Sequence, residues 1–433
     1  MSFVPFTQKP PLALKVILAV VLGIVFGVTF KTNPILFGIK NEDLGQLGML
    51  FIKFLRALAT PLVFLAIIES FTKMSFTLKQ GVKFVSICLV NSLVAMTIGL
   101  TLLNTLEPGK RWAGKIQEMK VALGTGEKEH KKAPAKADDP EAPQASFSFL
   151  QNLSYYVPSG LLRPFFYNNI ISIVLISLLA GAAFRQLLDH PHAPLMVAGI
   201  EFLFEWLQKM LAIIIHFIPY GVFGVVAQVV GAVGVGVFHF LWIFLAVILG
   251  GFFLHALIYY PLVVWLVGKK SPRIFLGQGM DAIMTGLSIN SSLGTVPITL
   301  DCLTKRMGVS PASARFAACI GTNLNNDGIT LYEAMTAIFL AQAVGMSLGI
   351  GQQLTIVVAS LLAGAGIAGI PEAGLIVLPL VLSAAGLPEG VVLTAIPLVL
   401  PVDWIIARCR SGVNVMSDMT VAILLDRFES TDN

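Results

Sequence analysis

Residues 210–268 read MLAIIIHFIPYGVFGVVAQVVGAVGVGVFHFLWIFLAVILGGFFLHALIYYPLVVWLVG, 59 residues without one Asp, Glu, Lys or Arg. A helix crosses the ~30 Å hydrocarbon layer in about 20 residues, so this stretch holds two membrane spans. The rest of the chain agrees. Of 433 residues, 56% are hydrophobic and 12% charged, against roughly 45–50% and ~25% in soluble domains. Fifteen of the 53 charged side chains fall within 107–148, which leaves the remainder of the chain poorer still in charge. A soluble fold is excluded, and the expectation is an all-α polytopic membrane protein.

Working outward, apolar segments fall near 12–30, 47–70, 81–106, 149–188, 196–232 and 237–268. Lys9 and Lys15 stand before an apolar run as in a secretory leader, but the run ends in VTFKTN without a small-residue cleavage site, so Leu12–Phe30 is read as a retained first span. Residues 107–148, with GEKEHKKAPAKADDPEAPQ at the centre, are too polar to bury a core and are expected to form a solvated loop. Lys and Arg of the short loops, from Lys9 to Arg306, fall on one side if the N-terminus is cytoplasmic, which puts that loop outside. The net charge of +5 is spread along the chain without an arm interleaved with aromatics, so no nucleic-acid partner is expected. Cys88, Cys302, Cys319 and Cys409 lack metal or redox spacing and read as free thiols. His216, His239 and His255 have no clustered partners and read as packing or interfacial residues.

Beyond Lys270 the pattern changes. GLSINSSLGTVP (286–297) and GAGIAGIPEAG (364–374) are too irregular for continuous spans and read as tips of re-entrant hairpins. Each is followed by a segment with ionisable groups in its middle, a repeat of hairpin and broken helix of the sort inverted-repeat transporters use to build a midplane site. In TNLNNDG (322–328), Asn323, Asn325, Asn326 and Asp327 before Gly328 argue for local unwinding that presents hard oxygen ligands to a small cation. A satisfied polar core is the competing reading. On the final helix Asp403, Ala407, Arg410, Asn414 and Asp418 form one stripe. Arg410 lies too deep to reach either interface, and reads either as a fork for a substrate carboxylate or as half of an internal ion pair with Asp403 or Glu372. Glu333, alone among apolar residues, either carries a transported proton or stays permanently protonated. Glu372 has three readings: a counter-ion for Arg410, a partner for a substrate ammonium, or a carboxylate facing the outer aqueous cavity.

These residues resemble the dicarboxylate/amino acid:cation symporter family, which includes the glutamate transporters. The carriers of the resemblance are SSLGTVP (291–297), NNDGITLYEA (325–334), GIAGIPEAG (366–374) and RSGVNVMSD (410–418). It implies eight transmembrane helices plus two re-entrant hairpins in inverted repeats, and an elevator-type carrier that is a homotrimer in the plasma (inner) membrane. Scaffold helices 1–3 would occupy 1–106, the outer loop 107–148, scaffold and transport helices 4–6 149–268, and the transport core 269–433.

The resemblance also implies three sodium sites. One would use the carbonyls of Gly321, Asn325 and Asn414 with the Asp418 carboxylate, and a second Asp327, the Asn325 side chain, Asn91 and Ser92. The third would use backbone carbonyls of Asn323, Gly364, Ala365 and Ile367. Arg410 would take the distal carboxylate of an anionic solute, with Asn414, Ser291, Ser292 and the hairpin amides from Ile370 to Gly374 on the other. Glu333 matches a proton-carrying glutamate. The sequence departs from the pattern at Ala407, Ile329, Asn326, Asn323, Glu372, Cys88 and Asn91. Ala407 replaces the aspartate that would hold an amino group, which suits a solute without one. The function expected is symport of a dicarboxylate or acidic amino acid with sodium and possible protons. A neutral amino acid:sodium symporter and an ion channel are the alternatives, and an intramembrane enzyme lacks a nucleophile, base or metal motif.

Overall fold

The computed structural model describes residues 12–35, 38–72, 78–112, 160–167, 170–365, 367, 373–387 and 389–430. Every regular element among them is helical. The first half comprises α1 (Leu12–Phe30), α2 (Asn41–Thr72), α3 (Leu78–Leu106), α4 (Ile170–Gln186) and α5 (Ala193–Val233). It closes with α6 (Val237–Phe253), which runs through a π-helical turn at Leu254–Tyr259 into α7 (Tyr260–Leu266). Of these, Lys79–Leu106, Ala193–Ala232 and Leu241–Leu266 are each long and apolar enough to cross a bilayer by length and composition. Large apolar side chains stand exposed along their outer faces, among them Leu18, Leu22 and Val25 of α1, Trp206, Ile213 and Phe217 of α5, and Trp242 of α6. Surface of this kind is compatible with hydrocarbon and not with water.

α1 and α2 pack on α5 through small residues, the close-approach solution for helices that gain nothing from hydrophobicity in lipid. A β-carbon on Gly224 of α5 would stand 2.7 Å from the carbonyl carbon of Leu44 on α2. The turn between α1 and α2 is tied by Asn41, whose Nδ2 donates to the Lys31 carbonyl at 2.8 Å.

The second half contains the two hairpins. α8 (Pro272–Ile289) and α9 (Ser292–Asp301) enclose a two-residue tip. Asn290 there takes the left-handed conformation, φ 54°, which asparagine tolerates, and the Ser291 hydroxyl accepts the Gly294 N–H at 3.0 Å to start α9. The expected first hairpin therefore needs only Asn290 and Ser291 out of helix. In the second, α13 (Ile350–Ala365) and α14 (Ala373–Ala384) flank a tip of which only Ile367 is described. Between the hairpins runs an interrupted helix: α10 (Pro311–Arg315), a π-helical turn at Phe316–Ile320, α11 (Gly321–Leu324), and α12 (Asp327–Ala343). Asn325 and Asn326 leave helical geometry with ψ of 76° and 58°, where unwinding was expected. All of α12 except Gln342 is buried, which makes it the axis of the fold.

Two expectations need correction. The last helix, α15 (Glu389–Ser430), is continuous through the whole polar stripe, so the repeat of hairpin and broken helix is incomplete. Its polar side chains project onto α12 instead of competing for their own backbone, and Gly412 is its only glycine between Asp403 and Asp418. The segment expected to be solvated from residue 107 begins with a 3₁₀ turn at Pro108–Trp112, its tryptophan buried edge-on against Phe339. Gln342 fastens the turn, accepting the Gly109 N–H at 3.1 Å and donating to the Leu103 carbonyl at 2.8 Å. Residues 113–148 lie outside the described residues.

Gly224→Val would force α2 away from α5. The expected loss is about 1–3 kcal/mol of scaffold stability, the usual range for overpacking, read as a lower thermal midpoint of the detergent-purified protein.

Candidate functional site

The break before α12 brings the polar residues of four elements together. Asp327 opens α12 with no solvent exposure. Its Oδ1 accepts the Ser92 hydroxyl of α3, and its Oδ2 accepts Tyr260 Oη at 2.8 Å and Ser417 Oγ at 2.7 Å. His255 Nε2 lies 3.5 Å from the same oxygen. An unpaired carboxylate at this depth would cost several kcal/mol, and these donors remove that penalty. His255 and Tyr260 reach it together because the π-helical turn closes the Tyr260 N–H onto the His255 carbonyl, which stacks residues five apart on one face.

Asn325 links Asp327 to the second carboxylate. Its Nδ2 donates to Asp418 Oδ1 at 3.1 Å, and its Oδ1 lies 3.1 Å from Ser417 Oγ. Gly321, whose carbonyl accepts the Asn325 N–H at 2.6 Å, packs against Asp418. Gly321, Asn325, Asp327, Asp418 and Ser92 are thus assembled in one cluster. Asn91 is buried beside it but accepts from Tyr259 Oη at 2.7 Å, and no hydrogen bond joins it to Asp327. The N-terminus of α12 is capped from another helix: the Gly328 N–H donates to Asn414 Oδ1 at 2.8 Å.

One turn further along the stripe, Arg410 is 2% exposed. Its guanidinium carbon stands 4.7 Å from the centre of the Tyr332 ring, and Nη1 is 3.7 Å from Asp403 Oδ1, a loose pairing. Neither Nη1 nor Nη2 has a hydrogen-bond acceptor among the described residues. Gly374 of α14 packs against Arg410 so closely that a β-carbon there would fall 2.6 Å from the guanidinium carbon, and Ala407, three residues before Arg410 on the same helix, is fully buried. The buried Ser292 hydroxyl at the first hairpin tip and both oxygens of buried Glu333 also lack partners among the described residues. Ile329 is buried in the first turn of α12. Ile370 and Glu372 lie outside the described residues, as does the side chain of Asn323. The three readings of Glu372 thus concern a residue outside the described ones.

Sequence reasoning set His255 aside as a packing residue. The structure places it, with Tyr260 and Ser417, on the central carboxylate. A signal existed: a histidine and two tyrosines within six residues, HALIYY, in a span otherwise almost wholly apolar.

Two helical hairpins meeting an interrupted helix over buried carboxylates are an arrangement found in membrane transporters. The chain belongs to the sodium:dicarboxylate symporter family, whose profile matches residues 12–428. That family consists of transporters and not enzymes. The chain is 31% identical over 268 residues to an excitatory amino acid transporter of Caenorhabditis elegans, covering 61% of this chain and 52% of the relative. It is 34% identical over 252 residues to excitatory amino acid transporter 1 of Homo sapiens, covering 58% and 45% respectively. Excitatory amino acid transporter 3 of Mus musculus is 33% identical over 252 residues, covering 58% and 47%. The match spans about half the length of these relatives.

Tyr260→Phe removes one donor from Asp327 and keeps the ring. A loss of about 1.5–3 kcal/mol is expected, typical for a hydrogen bond to a charged group. An unchanged thermal midpoint would mean that α7 does not hold Asp327.

Proposed function

We propose that the protein is a secondary symporter that imports a small dicarboxylate with sodium. The observation that carries this reading is Arg410: a buried guanidinium with two nitrogens lacking acceptors among the described residues. A solute carboxylate would satisfy that fork in bidentate geometry. Ala407 offers no acceptor to an ammonium group, which favours a dicarboxylate over an acidic amino acid. The second carboxylate of the solute would meet Ser291, Ser292 and the amides of the second hairpin tip, with Asn414 assisting. The names of the relatives keep acidic amino acids as the second reading.

Sodium would bind where the oxygens converge, at Asp418 with Gly321, Asn325 and Asn414, and at Asp327 with Asn325, Asn91 and Ser92. For the second of these, Asn91 would have to leave Tyr259. Glu333 is kept as the candidate proton carrier, its oxygens lacking partners among the described residues.

Eight spans, two hairpins and an elevator motion in a homotrimer of the plasma membrane complete the reading, with α1, α2, α4 and α5 as scaffold. α3, α6 and α7 are reassigned to the moving core, because Ser92, His255 and Tyr260 hold Asp327 from them. A cytoplasmic N-terminus is supported by the gathering of basic groups at one end. Lys83 donates to the Phe428 carbonyl, Lys270 to the Met307 carbonyl, and Arg306 pairs with Asp281 at 2.6 Å.

The test is uptake and counterflow of labelled succinate and labelled aspartate in proteoliposomes, with and without sodium. Exchange of labelled for unlabelled solute requires a carrier and excludes a channel. Arg410→Ala is expected to abolish uptake while the protein still elutes as one assembly, and unchanged KM for the same anion would overturn the assignment. Asp327→Asn and Asp418→Asn are expected to give a shallower sodium dependence of succinate uptake. An unaltered dependence in both would remove these carboxylates from the cation sites.

A further inference from the structure

One residue at the helix break is used by none of the roles above. Asn326 is 1% exposed and stands between three partners. Its Oδ1 accepts Asn414 Nδ2 at 3.0 Å, and its Nδ2 donates to the carbonyls of Gly364 at 2.9 Å and Ile367 at 2.8 Å. The Thr322 carbonyl lies at 3.5 Å from the same nitrogen.

The orientation of this amide is fixed by the backbone. The Gly328 N–H can only donate, so Asn414 must turn Oδ1 to it and Nδ2 to Asn326. Asn326 must then present its oxygen to Asn414 and its NH2 to the second hairpin. A side-chain amide carries two N–H hydrogens, one for each carbonyl. Reversing it would set an oxygen against two carbonyl oxygens and an NH2 against an NH2.

The carbonyls of Gly364 and Ile367 are two of the oxygens that the family resemblance assigns to a third sodium ion. In this chain a nitrogen donor stands within 2.9 Å of both, where an ion shared by them would have to sit. It directs partial positive charge at each oxygen, as the ion would. The residues present therefore do not fit a sodium ion at that place unless Asn326 is displaced.

We propose that the Asn326 amide is a built-in substitute for this cation, latching the second hairpin to the helix break. Closure of that hairpin is then independent of the third ion, and the carrier couples two sodium ions per cycle instead of three. The inference rests on the carrier reading, yet its test needs no solute. The Asn326 hydrogen bonds join α13 and Ile367 to the helix break and, through Asn414, to α15, so the latch ties the second hairpin to both helices of the site.

The full-length protein in lipid nanodiscs is followed by amide hydrogen exchange of peptides covering 356–367, in choline chloride and in sodium chloride. In the wild type, exchange is expected to be slow and to change by less than about threefold between the two salts. Asn326→Asp has the same shape but no donor when ionised and a single O–H when protonated, so at least one of the two hydrogen bonds is lost, and exchange in choline is expected to rise about tenfold or more and to be slowed again by sodium. Should the aspartate variant fail to fold, Asn326→Met, which cannot donate, is read in the same way. Wild-type exchange slowed about tenfold by sodium, or a folded variant that exchanges like the wild type in choline, would overturn the proposal. Uptake of labelled succinate is measured on the same preparations. Absence of uptake with the exchange pattern intact overturns the solute reading and leaves the latch standing, whereas uptake with an exchange pattern contrary to expectation overturns the latch alone.

Discussion

A carboxylate with no solvent exposure, in a chain built to lie in hydrocarbon, is the constraint on which the architecture depends. Asp327 draws a serine from α3, a histidine and a tyrosine from around the π-helical turn, and a serine from the final helix. The donors come from three separate parts of the sequence, so the carboxyl can be buried only when the whole core is assembled. The backbone break beside it obeys the same rule. Two residues out of helix at this depth expose amides that no water can satisfy, and Asn414 of α15 meets one of them. Polar groups thus specify how apolar helices, otherwise free to pack in many ways, come together.

The arrangement separates two electrostatic environments on one helix pair. Around Asp327, polar donors converge on one carboxyl, and Asn325, bonded to Asp418 and beside Ser417, links it to the second. Around Arg410, a positive charge is held by an aromatic face and a distant carboxylate, with less hydrogen bonding than its five N–H groups can use. A cation at the first environment and an anion at the second would each relieve what the protein leaves incomplete. Because α12 and α15 line both, occupancy of one changes the field at the other.

Much of this could be read from the sequence, and the limits of that reading have physical causes. Charge in an apolar segment is costly enough to stand out, which is why Arg410, Asp327 and Asp418 are visible at once. The span Leu12–Phe30 and the Asn325–Asn326 break follow from hydropathy and from four amide and carboxylate side chains in five residues. His255, Tyr260 and Ser417 are polar side chains of a type that also fills ordinary cores, so nothing local distinguishes them before the π-helical turn aims two of them at one oxygen. The continuity of α15 escapes notice for the opposite reason: a dense polar stripe resembles a break, yet its side chains serve a neighbouring helix and leave the backbone intact. The direction of the Asn326 amide depends on a chain of hydrogen bonds that starts at a backbone N–H in another element, and no linear pattern encodes it.

The length of α5 has a consequence of its own. Its 41 residues extend about 60 Å at 1.5 Å per residue, twice the thickness of a ~30 Å hydrocarbon layer. Glu201, Glu205 and Lys209 occupy its first half, where Glu205 and Lys209 are exposed and 3.8 Å apart, while the second half is free of charge. The helix therefore crosses with its charge-free half and runs on through the headgroup region, where exposed Trp206 sits. Its partners α1 and α2 are locked to that crossing half, so membrane depth and inclination are set by one rod. A thicker or thinner bilayer would tilt this rod and, with it, the helices α1 and α2 packed against it.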